Sequence, residues 1–118
     1  MQEQAVARFE HAGDVREMFV GTDGEKIVVR ESVSGPSAVV AYGQERRDLR
    51  VSLSPEAVSA LLEAVGFAGA PDGLWDYLTS EWHDIVDLMD LCDRRGIAYE
   101  FASTGPGGDW QFRPAAAR

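Results

Sequence analysis

The spacing of apolar residues changes period midway along this chain. In LRVSLS (49–54), Leu49, Val51 and Leu53 alternate with Arg50 and Ser52, the period of two expected of a strand with one wet face. VREMFV (15–20) and EKIVVRES (25–32), rich in β-branched residues, also read as strands. GTDG between them carries the Asp-Gly pair that favours a tight reversal. VSGPS (33–37) is a second breaker, and SAVVAYG (37–43) reads as a third strand. Residues 2–12 fit either a short helix ended by Gly13 or an irregular lead-in.

From Ser54 the period becomes helical. Ser54 is suited to accept from free backbone N–H groups, Pro55 to the first helical position, and Glu56 to the positive end of the helix dipole. Val58, Leu61, Leu62 and Val65 follow at helical spacing, and Gly66 ends the run. A second helix is predicted from about Asp72 to Arg95, with Thr79-Ser80 as the place for a break and Gly96 as its end. IAYEF (97–101) alternates, placing Ile97, Tyr99 and Phe101 on one face. Glycine-rich STGPGGD leads to WQFRP (110–114), a returning strand with Trp110 and Phe112 expected inward, and 115–118 form a frayed tail.

The expected order is β-β-β-β-α-α-β-β. Strands followed by helices indicate an α+β fold, and short links between the early strands require antiparallel pairing. The expectation is a mostly antiparallel sheet of about 5–6 strands with two helices packed on one face.

Length and charge narrow the function. The 118 residues make a single domain, 1–118, with 45% apolar and 26% charged residues, a normal globular composition. A formal charge of −9 repels phosphate backbones and anionic membranes, so neither nucleic acid nor membrane is expected as a partner. It suits a partner protein with a basic surface. No run approaches the length of a membrane span, and the N-terminal residues lack the pattern of a signal peptide. Cys92 is the only cysteine, which fits a reducing cytoplasm. Only Lys26 among the eleven basic residues is lysine, a GC-rich coding bias that reads as bacterial.

The candidate chemistry centres on EWHDIVDLMD (81–90). Projected as one helix, Trp82, Ile85, Val86 and Met89 fall with Leu74, Leu78 and Cys92 on an apolar arc. Asp76, His83, Asp84, Asp87 and Asp90 fall on the opposite face. A solvated helix surface needs exactly such polar residues, and it is the plainest account of them. Beyond that, those five form the candidate partner-binding surface, since charge complementarity speeds association and adds specificity. A metal would need ligands from a second element, and His11 stands alone, so neither metal nor cofactor is expected.

Other motifs point to no catalytic set. Cys92 sits on the apolar arc, away from His83. The glycine-rich loop lacks the lysine and hydroxyl of a phosphate-binding loop. Arg46, Arg47 and Arg50, with Arg30 on a neighbouring strand, could hold an anion if they shared a face.

LWDYLT (74–79) resembles the LWDxLT stretch of the acidic ribonuclease inhibitor barstar in Leu74, Trp75, Asp76, Leu78 and Thr79. The likeness covers those residues alone, and the strand meander that opens this chain departs from barstar. It implies an inhibitor whose acidic helix face covers a basic site, and carries over Asp76 only.

The function expected is therefore a small acidic, non-enzymatic protein-binding module of the inhibitor, immunity or antitoxin kind. The alternative is a small enzyme or ligand-binding protein with a pocket between sheet and helices, using Glu31 or Glu100 as a base. A desolvated carboxylate at a pocket mouth would favour the alternative. A homodimer joined through a strand edge is a third arrangement.

Overall fold

The computed structural model describes residues 2–66, 73–79, 83–106 and 110–114. The expected α+β class holds. Six strands pair in chain order as one antiparallel meander: β1 (Gln2–His11), β2 (Asp14–Asp23), β3 (Lys26–Ser34), β4 (Arg46–Leu53), β5 (Glu100–Thr104) and β6 (Trp110–Arg113). Among the described residues four helices interrupt the order: α1 (Pro36–Tyr42) between β3 and β4, then α2 (Pro55–Val65), α3 (Gly73–Leu78) and α4 (Ile85–Arg95) between β4 and β5.

Two early elements exchange roles relative to the sequence reading. Residues 2–11 form strand β1, and 36–42 form helix α1 where a third strand was expected. Pro36 takes the first helical position, and Gly43 closes the helix in a left-handed conformation. The adjacent valines are not core residues, since Val40 is 87% exposed. The start of α1 is fixed by Gly35 at φ 109°, where an added Cβ would lie 2.4 Å from Gly13 O and 2.8 Å from Asp14 Cα. Only glycine lets α1 approach the β1–β2 turn this closely.

The alternation in β4 places Leu49, Val51 and Leu53 in the core. They meet Met18 and Val29 from neighbouring strands, Leu61 of α2, Leu78 of α3, and Ile85, Leu88 and Cys92 of α4. Burying each large apolar side chain contributes roughly 1.5–3 kcal/mol, which is the main force holding the helices to one sheet face. The α2 start is as read: Ser54 Oγ accepts from Ala57 N at 3.1 Å.

The predicted helix over 72–95 is two helices. α3 ends at Leu78, α4 begins at Ile85, and His83 and Asp84 lie outside both. Asp84 caps α4 in a reciprocal box with Asp87: Asp87 N donates to Asp84 Oδ1 at 2.9 Å and Asp84 N to Asp87 Oδ2 at 3.1 Å. A single helical projection therefore misplaces Val86, which is 49% exposed. Trp82 and the tail 115–118 lie outside the described residues.

The C-terminal hairpin forms, with two differences. Ile97 and Tyr99 are buried but precede the strand, which begins at Glu100. Trp110 and Phe112, expected inward, are 61% and 47% exposed, and their rings stack 5.5 Å apart. Phe112 pairs with Ala102, which pairs with Arg50, so the register puts both aromatics on the sheet face away from the helices.

Candidate functional site

Strand β3 presents Ile27, Val29, Glu31 and Val33 to the helix side by its period of two, and Glu31 interrupts an otherwise apolar row. Its side chain is nearly sealed, at 3% exposure. Oε2 accepts from the backbone N–H of Ile85 at 2.7 Å, in the first turn of α4. Oε1 has no hydrogen-bond partner among the described residues and opens on a cleft. Burial pushes this carboxyl up to about 7; the Ile85 N–H opposes the rise, and the charge of Asp84 adds to it.

The cleft measures about 410 Å³ and lies between β1–β3, α1 and the start of α4. That volume falls within the range of small-molecule sites. Val33, Ala38, Leu49 and Val86 supply apolar wall, and Tyr42 of α1 closes one side. Burial raises the Tyr42 hydroxyl above its ordinary range, and Glu31 adds to that rise.

Besides Glu31, charged groups reach the cleft from three elements. Glu10 and His11 come from β1, Asp14 and Arg16 from β2, and Asp84 from the start of α4. Asp14 is committed to the α1 start: Ser37 N donates to Oδ1 at 2.8 Å and Ser37 Oγ to Oδ2 at 2.5 Å, which holds its carboxyl below the usual range. Arg16 lies over the Phe9 ring at 4.5 Å and donates to His83 O at 3.4 Å. Burial raises the Asp84 carboxyl above the usual range.

The five residues expected on one acidic face are divided. Asp84 turns to the cleft, and Asp76 is exposed on α3. His83, Asp87 and Asp90 do share a surface: with Asp93 they border a groove of about 630 Å³ beside α4. His83 is half-buried and stacks on Tyr77 at 4.0 Å. Its Nδ1 lies 2.8 Å from Tyr77 O, and because a carbonyl only accepts, Nδ1 carries a proton. The groove is larger than the cleft, but it holds no sealed carboxyl group among the described residues. That chemistry, and not volume, marks the cleft as the stronger site.

The arginines divide between the two faces of the sheet. Arg47 is buried on the helix side, where it donates to Ser103 Oγ at 2.7 Å. Arg30 and Arg50 pair across the opposite face, and Arg30 is held by Glu3 at 2.7 Å. Glu100 is paired with Lys26. Cys92 is fully buried, and burial pushes its thiol up to about 11. Among the described residues no group of three or more His, Cys, Asp or Glu is placed to hold a metal ion, and no helix is long and apolar enough to cross a membrane.

Glu31 carried a sequence signal of its own: one charged residue in the apolar phase of a strand. Its helix partner, 54 residues away, had none. In comparisons with known proteins, no family model, curated protein or solved structure matches this chain.

Proposed function

We propose that this protein is a small ligand-binding module whose site is the cleft above Glu31. The observation that supports this reading is Glu31 itself: the residue is 3% exposed and lines the cleft, with Oε2 held by Ile85 N and Oε1 without a hydrogen-bond partner among the described residues. Burying a carboxylate without a partner is costly, and such groups concentrate where a protein needs an acid, a base or a charge for recognition. A carboxyl that titrates near neutrality suits reversible binding, and also suits proton transfer should a bound ligand react. The test is a small-molecule screen read by amide chemical shifts. Hits should move resonances of β3, α1 and the first turn of α4. Hits that map elsewhere, with those resonances still, would overturn the reading.

The groove bordered by His83, Asp87, Asp90 and Asp93 favours a second reading, a partner protein with a basic surface. Asp84 and Asp87 cap α4, so reversing their charge would confound binding with folding. Asp90 borders the groove, is exposed and is free of that duty. Replacing it by lysine should slow association with a purified basic partner, most at low salt. Unchanged association rates would exclude this surface. Both readings carry the expectation of a cytoplasmic protein, on the ground of a single, buried cysteine.

A further inference from the structure

The cleft has a charge preference. Four carboxyl groups reach it, from Glu10, Asp14, Glu31 and Asp84, against two basic side chains, Arg16 and His11. The oxygen that remains for a ligand is acidic too. Asp14 is spent on Ser37, Glu10 is paired with Arg8 and Asp84 Oδ1 accepts from Asp87 N, while Glu31 Oε1 has no hydrogen-bond partner among the described residues. The guanidinium of Arg16 is occupied by the Phe9 ring and His83 O. Beside the oxygen lie the apolar walls of Val33, Ala38, Leu49 and Val86, together with the Tyr42 ring. The whole chain, at −9, attracts cations to its surface.

Resting on the reading of this cleft as a ligand site, we propose that it binds a small organic ammonium ion with an apolar body, the ammonium donating to Glu31 Oε1 and the body lying against Tyr42 and the aliphatic wall. A cation here supplies a donor to Glu31 Oε1, which has none among the described residues. It also relieves the repulsion between Glu31 and Asp84. An anion would meet that repulsion, and a neutral molecule would leave it in place.

Binding of this kind couples to pH. The charged and titratable groups facing Glu31 are Arg16 from β2, Asp84 and Asp87 from α4, and Tyr42 from α1, with His11 and Glu10 of β1 on the rim. The ammonium pairs with ionised Glu31, so affinity should rise by about tenfold between pH 6 and pH 8, as expected for a carboxyl titrating at about 7.

The experiment uses three probes of one shape: 2-phenylethylamine, 2-phenylethanol and phenylacetate. Each is titrated into the full chain and followed by amide shifts at pH 6 and pH 8. The amine should bind at β3, α1 and the α4 start at least about tenfold more tightly than the other two, with the stated rise in affinity. Glu31→Gln should remove both the preference and the rise. Val86→Trp, at a half-exposed position on the mouth, should block all probes without touching the carboxyl. The profile repeated on His11→Gln should be unchanged; a profile that vanishes there assigns the pH effect to the rim histidine and overturns its assignment to Glu31. If the alcohol or the acid binds the cleft as well as the amine does, the ammonium class is wrong and the ligand site stands. If no probe moves cleft resonances, the ligand-site reading fails and the proposal with it.

Discussion

Glu31 on β3 accepts a hydrogen bond from the backbone N–H of Ile85 at 2.7 Å, so a buried acid occupies the start of helix α4. The helix N-terminus carries partial positive charge and welcomes an anion, but burial opposes ionisation and prevails.

That balance fixes a pH dependence of stability. The Glu31 carboxyl titrates at about 7 when folded, against 4.5 for an ordinary glutamate. Between those values the folded chain holds a proton that the unfolded chain has lost, so stability must fall as pH rises through this window. The loss is about 3 kcal/mol when complete above the folded value. Glu31→Gln keeps an acceptor for Ile85 N without the charge. Denaturant melts at pH 5 and pH 8 should show the wild-type decline and a much flatter variant. An equal decline in both would contradict the assignment.

Gly35→Ala should destabilise the fold by more than about 2 kcal/mol and unsettle α1. The new Cβ would meet backbone atoms at Gly13 and Asp14, which have little room to yield. Thermal melts with amide spectra of α1 would check this. A variant as stable as the parent would mean that α1 can shift freely.

Leu88 and Val40 make a matched contrast. Leu88 is wholly buried on α4, and truncation to alanine should cost about 2–5 kcal/mol. Val40 is on α1 at 87% exposure, and Val40→Ser should stay within about 0.5 kcal/mol. Equilibrium unfolding in urea measures both.

Cys92 should be inert in the native protein. Its thiol is pushed up to about 11 from the ordinary 9.0 by burial, so at pH 8 ionisation alone slows reaction by about a hundredfold. A disulfide reagent should label it promptly in guanidinium and far more slowly in buffer. Equal rates would show that α4 opens readily.

Local signals in the sequence were dependable. The alternation of β4, the cap at Ser54 and the closing glycines Gly66 and Gly96 each act within a few residues, and each stands where it was read. β1 was obscured because a bulge between Ala5 and Ala7 breaks its alternation. α1 was taken for a strand because Val39 and Val40 favour strands, while Pro36 and Gly43 decide for helix. Alternation in β6 gave the phase of Trp110 and Phe112 but not the side, which only the register with β5 fixes. The cleft was half legible. Glu31 stood out in an apolar row, but its contact with Ile85 joins residues far apart in the chain, and no local pattern encodes that.

The meander has a consequence for the order in which the chain folds. β1 to β4 are linked by tight turns or by the short helix α1, so those pairings close small loops and can form early. The β4–β5 pairing is different, because residues 54–99, with helices α2, α3 and α4, lie between its strands. It is the one step in the sheet that must wait for distant chain to arrive. Until β5 docks, Leu49 and Val51 lack their neighbour strand, and β4 is a free edge. Pulsed hydrogen exchange during refolding should therefore protect amides of β2 and β3 before those of β5, and simultaneous protection would refute this order.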